Sequence, residues 1–483
     1  MSKKQTDGQG TEPLSWEEQL DRREADRMAR AYDSTRKELS LEFSEHHEAD
    51  ARRELKRLLA DMPWRELSVE EGAEYQMEGE AGLWSFKTYR IVEGSRRRVI
   101  YDTRKKLPTQ QGTRRLRTSG ARELMLFLGP AIRSNRESTE MLSRIRHQDR
   151  AVALMTLRDF VEKEGTDVAV SLERVVEAEM AKKPVPLVLP QSLPQITGKE
   201  IKSAFDEAEV PDELRKEVSV NPVPYTPPEA TTNIAADAVF CKKQKTQRGE
   251  EGAKEKTKER KTVSICCATV AIPGKRIVLA TVDYCKLLLA VLATLRINGL
   301  TNMHVCLLTD GERKLRDVFW PALSVAVSSL QHVLDWHHLS RRCGQQLSMA
   351  LKGKVIRNGH FKRLQRLLWF GCTDSAIGLI GTIPAEDVKN SKPLEELQEY
   401  LKNRRDQIPV YAVRKVLGLA NSSNPVEKAN DRLVSSRQKG KGMSWSQEGS
   451  LALANLRMLR CNQQQKLWLT ERDVSLQLQP CAA

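Results

Sequence analysis

Three carboxylates stand where the residue types and spacing could do chemistry. Asp237 interrupts an apolar run, between Ala235, Ala236, Ala238 and Val239, so a strand there would hold its carboxylate rigidly toward a site or point it to solvent. Asp310 closes the segment HVCLLTD and precedes Gly311. The carboxyl ends of strands in open α/β sheets face the crevice where ligands bind, although Asp-Gly is also a turn and Asp a helix cap. Glu427 lies in SSNPVEKAND, where Asn424 as N-cap, Pro425 as first helical residue and Glu427 as third read as a capping-box start. Together, two sheet carboxylates and one helix carboxylate can bind two divalent ions roughly 3.5 to 4 Å apart, an arrangement that activates water and stabilises a leaving oxygen in phosphoryl transfer. Oxygen ligands suit Mg²⁺ or Mn²⁺. Lys428, Arg432, Arg437, Lys439 and Lys441 follow Glu427 and are placed to hold phosphates beside such a centre.

Neighbouring candidates have simpler readings. Asp283 follows a strand and reads as the cap of the next helix. In Asp335-Trp336-His337-His338, adjacent histidines point in different directions and no third ligand is spaced for zinc, so a structural role is expected, with Trp336 packed. Asp431 is the alternative helix carboxylate, and Trp445 reads as a core residue before a base-stacking one.

The elements that must position these groups follow from pattern. Strands are predicted at 231–241, 262–271, 276–282, 303–309 and 331–335, with helices at 284–298 and 312–327. Three successive strands, then helix-strand-helix-strand, make a short mixed α/β sheet. Residues 336–420 read as helical, and a second apolar helix covers 447–469. The lysine-rich stretch 245–261 reads as a flexible hairpin tip. Upstream, 15–60 reads as helix, 82–101 as two short strands turning at Glu93-Gly94-Ser95, and 121–129, 137–146 and 149–163 as three helices that could form a helix-turn-helix-like DNA reader. Nine of the 20 prolines fall between Pro184 and Pro228, which predicts an extended, semi-rigid linker.

Charge points to a polyanion. The 483 residues carry 79 Lys and Arg against 64 Asp and Glu, a net +15. Residues 1–80 hold 13 basic and 21 acidic side chains (net −8), residues 81–158 hold 18 and 6 (+12), and residues 401–483 hold 14 and 6 (+8), so two distant basic blocks would grip the partner. The first block includes Arg96, Arg97, Arg98, Arg114, Arg115, Arg144 and Arg146. All nine cysteines lie from Cys241 onward without a CxxC spacing, which argues against a disulfide framework. The start has no apolar signal region and the longest apolar run, 287–295, is too short for a bilayer, so a soluble intracellular protein without membrane association is expected.

Three stretches carry a family resemblance: AADAVFCKKQK around Asp237, LLTDGERKLRDVFWPAL with LQHVLDWHHL, and NPVEKANDRLVSSRQKGKGMSW around Glu427. They resemble the DDE transposases of bacterial insertion sequences, especially the ISKra group, over about residues 231–470. The resemblance implies a multi-domain chain in which an α-rich N-terminal region precedes a mixed α/β, RNase H-like catalytic domain. It implies Asp237, Asp310 and Glu427 as catalytic, metal-binding residues for Mg²⁺ or Mn²⁺, two ions in all. The expected organisation is an acidic helical region (1–80), a basic, mainly helical DNA-binding region (81–180), the Pro-rich linker (181–230) and the core (231–335). A helical insertion (336–420), the Glu helix with closing helices (421–470) and a tail (471–483) would follow. The implied activity is Mg²⁺-dependent cleavage and strand transfer of double-stranded DNA at element ends, by a homo-oligomer in the bacterial cytoplasm at the nucleoid. A nuclease or resolvase with the same core, and a non-catalytic transposase-derived DNA-binding protein, are the alternatives.

Overall fold

A computed structural model describes residues 16–95, 97–107, 115–220, 225–244 and 262–481. The stretch 245–261 therefore lies outside the described residues, and its reading as a hairpin tip with it. The chain divides into two compact units, 1–161 and 162–483.

In the first unit, α1 (Trp16–Asp61) packs on β1 (Leu67–Gly79) and β2 (Gly82–Glu93); β3 (Arg98–Asp102) and β4 (Arg115–Arg117) complete a four-stranded sheet of order β3-β2-β1-β4. The helix lays Phe43 and His47 onto Trp84 and Phe86, a small aromatic core under a mostly polar rod. Strands β2 and β3 are the two predicted in 82–101, while β1 lies in the region predicted to be helical. Strand β1 escaped notice because its sequence, LSVEEGAEYQMEG, is rich in Glu and Gly, which strands disfavour. It is held by charge: buried Glu78 accepts from Arg117 at 2.8 Å and from Arg146 at 3.1 Å. Removing one partner of such a buried pair costs about 3–5 kcal/mol. Then come α2 (Ser119–Ala131) and α3 (Asn135–Ile145), capped by Thr118 and Ser134, and α4 (Leu154–Met180), inside which the division between units falls.

The second unit is mixed α/β. The stretch read as an extended linker carries α5 (Gly198–Glu207), opened by a Thr197–Glu200 capping box, and α6 (Asp212–Val220). Ala204 and Val210 join Tyr225, Phe370, Cys372, Val410 and Val413 in one core cluster, so apolar spacing between the prolines outweighs the prolines themselves. Then follow β5 (Thr231–Lys242), β6 (Thr262–Ile272), β7 (Lys275–Thr281), α7 (Tyr284–Ile297), β8 (His304–Thr309), α8 (Arg313–Ala326) and β9 (Ser329–Leu334), close to the predicted elements. Five helices come next: α9 (Trp336–Ala350), α10 (Lys354–Trp369), α11 (Thr373–Gly381), α12 (Lys392–Lys402) and α13 (Tyr411–Val416).

Helix α14 (Asn424–Asn430) passes through a π-helical turn, Asp431–Ser435, into α15 (Ser436–Gln438). The predicted helix 447–469 is two helices, α16 (Gln447–Cys461) and α17 (Gln465–Glu471), broken where Gln463 takes φ +57°. The segment read as a tail buries Val474, Leu476 and Leu478 and adds β10 (Gln479–Pro480) to the sheet edge.

The sheet order is β10-β7-β6-β5-β8-β9. Strands β5, β6 and β7 are successively antiparallel, and β8 and β9 lie parallel to β5 on its other side. The helical layer braces the ends of β8 and β9. Tyr411 donates to the Leu334 carbonyl at 2.7 Å, and buried Arg404 donates to the Gly311 carbonyl at 2.6 Å. Arg414, 1% exposed, ties Gln331, Asn421 and the Ala420 carbonyl together. Among the described residues, no helix is long and apolar enough to cross a membrane.

Candidate functional site

Strand register brings the first two carboxylates level. Residues of β5 pair with residues 73 further on in β8, from Thr231↔His304 to Ala235↔Leu308. Two residues on, Asp237 on β5 and Asp310, the first residue after β8, keep that offset, so both stand at the same end of neighbouring strands. Asp237 is partly buried. Desolvation, helped by the nearby charges of Asp310 and Glu312, pushes its carboxyl up to about 6, against the Ala238 amide and His338, which lower it. Asp310 caps its Asp-Gly turn: its Oδ1 accepts from the Glu312 amide at 2.8 Å. Gly311 takes φ +90°, and a side chain there would meet Leu334 and Tyr400 at 3.0 and 3.1 Å.

Helix α14 lies over β5 and β6. Asn430 donates to Asp237 Oδ2 at 2.7 Å, while its own amide oxygen is buried without a hydrogen-bond partner. Glu427, one turn earlier and therefore on the same side of the helix, accepts from His338 Nε2 at 2.7 Å. The N-cap of α14 is Ser423, one residue earlier than expected, with Glu427 outside any capping box. That leaves its carboxylate available to His338. Asp335 caps α9 through the His338 amide and accepts from the Ser423 amide and hydroxyl, so it joins the end of β9 to the start of both site helices. Burial alone would raise the Asp335 carboxyl; these donors outweigh it and hold it below the usual value. Trp336 packs on Trp369 and Tyr411, as expected, and Asp283 caps α7.

The site thus gathers Asp237, Asp310, Asn430, His338 and Glu427. Sequence pattern gives His338 only a structural role and does not single out Asn430. The signal for His338 was its place three residues after a capping Asp, which puts it in the first turn of a helix starting at a strand end. Glu312 was also missed; it accepts from the Tyr284 hydroxyl at 2.6 Å at the start of α8.

A divalent cation fits the donor chemistry of the two strand carboxylates. Both are oxygen ligands at the same end of neighbouring strands, one has a raised pKa that a cation would relieve, and an unpartnered amide oxygen stands beside them. Among the described residues, no three His, Cys, Asp or Glu side chains stand together as a ready ligand set, and Glu427 is engaged by His338.

Of the cations after Glu427, Lys428, Arg432, Lys439 and Lys441 are exposed. Arg437 is buried at 3% exposure beneath the Trp445 ring, whose backbone pairs with Lys242 and Gln244; this arginine is a packing residue, and Trp445 is too. In the first unit Arg97, Arg98 and Arg144 are exposed, with Arg97 near Glu70. Arg146 is fully buried against Glu78 and is removed from the set of phosphate contacts. Arg96, Arg114 and the Arg115 side chain lie outside the described residues. In comparisons with known proteins, no family model matches the chain and no curated protein matches it.

Proposed function

We propose that the chain is a DNA transposase whose core, residues 231–335 with Glu427, is RNase H-like and whose helices over 336–420 are an insertion in that core. The observation that supports this reading is the sheet itself: three antiparallel strands followed by two parallel ones, in the order β7-β6-β5-β8-β9, with Asp237 on β5 and Asp310 directly after neighbouring β8.

Asp237 and Asp310 would hold a divalent cation, with Glu427 completing the set on leaving His338. The bound metal supplies the positive charge that acidifies water and stabilises a leaving oxygen. Asn430 orients Asp237, and His338 orients Glu427. Lys428 and Arg432, exposed on the same helical stretch, bind the phosphates of the DNA. Water attacks phosphorus at an element end, the P–O3′ bond breaks, and the 3′-oxygen leaves as a hydroxyl. That hydroxyl then attacks a target phosphodiester and displaces the target's 3′-oxygen, with no covalent bond to the protein.

In the first unit, exposed Arg133, Arg136, Arg144 and Arg150 line α2, α3 and the turns beside them, which would recognise element ends as part of a homo-oligomer acting at the nucleoid. One observation favours a second reading, a non-catalytic DNA-binding descendant: Asp237 and Glu427 are each held by a neutral or basic side chain of the chain itself.

A Mg²⁺-dependent cleavage and strand-transfer assay, on DNA flanking the coding region, separates the two. Asp310→Asn should bind DNA normally and lose well over about a hundredfold in cleavage, because even an outer-shell partner of a metal is worth about 10–100-fold. Equal activity of native protein and variant makes Asp310 a turn residue and ends the catalytic reading. Binding without cleavage by either leaves the non-catalytic one.

A further inference from the structure

The sequence between Trp336 and Phe370 contains eight Lys and Arg residues and no Asp or Glu. These cations are Arg341 and Arg342 on α9, Lys352 in the turn, and Lys354, Arg357, Lys362, Arg363 and Arg366 on α10. None of the eight forms an ion pair within the described residues, and all but half-buried Arg357 are exposed. The arrangement is not a solvated face balanced by its neighbours. The acidic groups packed nearby are turned to other partners: Glu396 accepts from Gln346, and Asp387 faces His360.

Leu364 and Leu368 fix the buried side of α10. Lys362, Arg363 and Arg366 fall on the opposite arc at 100° per residue, and Lys354 is exposed as the first residue of the helix. Between the two helices runs a groove of about 620 Å³. Arg341 and Arg357 stand on its two walls, Gln345, Ser348 and Asn358 offer hydrogen bonds, and Phe361 closes its floor against Gly344.

We propose that the α9–α10 hairpin is a second DNA-binding surface, which grips the phosphate backbone of a duplex continuous with the DNA at the candidate site. The inference rests on the transposase reading and names a part of it: helix α9 carries His338, bonded to Glu427, in its first turn and Arg341 and Arg342 in the next. Cations without acids, and hydrogen-bonding groups in place of a row of exposed aromatic rings, suit a phosphate backbone rather than stacked single-stranded bases. The surface reads no sequence; it holds position.

The test uses the full chain and a 30-base-pair duplex, with affinity measured by fluorescence anisotropy across a salt series. The variant K354Q/K362Q/R363Q/R366Q is compared with K199Q/K202Q/K392Q/K402Q, which removes four exposed lysines elsewhere. Thermal unfolding midpoints check that both remain folded. The hairpin variant should lower the slope of log affinity against log salt by about three to four, near 0.9 per lost contact, and the control by less than about one. Equal slopes for the two variants overturn the inference while leaving the transposase reading intact. Patch-dependent binding by a protein that fails to cleave under any condition supports the inference and ends the catalytic reading. Loss confined to binding of poly-glutamate, with duplex binding unchanged, overturns it in favour of an acidic protein partner. Absence of any salt-dependent duplex binding by the native chain ends both.

Discussion

Asp237 has a measurable signature that does not depend on catalysis. Its carboxyl is pushed from the ordinary 3.8 up to about 6, mainly by burial. The folded chain therefore keeps a proton that the unfolded chain releases, and this contribution to stability is full below about pH 3.8 and lost as pH rises through about 6. Asp237→Asn cannot ionise and should gain about 3 kcal/mol over the native protein at pH 7.5 in chelator, with little difference at pH 4. Urea unfolding at the two pH values checks this, and an equal difference at both would mean that desolvation at Asp237 is not the cause. Adding Mg²⁺ at pH 7.5 should then stabilise the native protein and leave the variant unchanged. That Asp237 and Asp310 stand close together was legible from residue types and neighbours; that Glu427 is engaged by His338 was not. Nor were the roles of Asn430 and His338, because an amide and a second histidine carry no pattern until a helix is laid on a strand. The burial of Arg146 and Arg437 was equally hidden, since an arginine in a basic run looks the same whether it meets phosphate, Glu78 or a tryptophan ring.

At the scale of elements, the turn after β8 is a clamped joint. Arg404 from the helical layer holds the Gly311 carbonyl, and Leu334 and Tyr400 fill the space where a side chain would stand. Gly311→Ala should cost about 1–2 kcal/mol for its positive φ, plus the displacement of those neighbours, and on the proposed transposase reading should lower cleavage by misplacing Asp310. Gly274→Ala is the control: φ is +75° and nothing lies within 4 Å, so only the backbone cost should appear. Matching losses of activity in both variants would show that the clamp does not position Asp310. The elements of the second unit were readable because apolar strands and amphipathic helices alternate cleanly there. Strand β1 and the helices between the prolines were not: one is stabilised by buried charge, the other by contacts with residues some 150 to 200 positions away. The π-helical turn after Asn430 also had no sequence sign, though such turns often mark functional sites.

For the molecule as a whole, the cysteines give a test of packing. All nine are free; six are buried, and only Cys285 and Cys481 are exposed. Burial pushes the Cys266, Cys343 and Cys372 thiols up to about 12, which keeps them protonated and unreactive. A thiol reagent should modify two groups rapidly in the native protein and the buried six only on unfolding, with no change of the unfolding midpoint on adding reductant. Rapid modification of more than three would contradict the packed second unit. The absence of paired spacing in the sequence argues against disulfides, and the apolar runs around Cys266, Cys267, Cys285 and Cys306 predict small buried residues; Cys266, Cys267 and Cys306 are so in the sheet that carries the site, while Cys285 is exposed.

The alternation of β5 has a further consequence. Asp237 faces α14 because it is in phase with Cys241, whose sulfur lies 3.5 Å from Gln438 and Ser450 on the same face. Phase along a strand has only two values, so a single residue gained or lost before Asp237 would turn its carboxylate away from Asp310 while every distance in the sheet stayed the same. By contrast, the connection from Gln244 to Thr262 begins and ends at paired residues, and its length enters neither the phase of β5 nor its pairing. Evolution is therefore free to lengthen, shorten or recharge that connection, and is allowed almost no freedom in the six residues that precede Asp237.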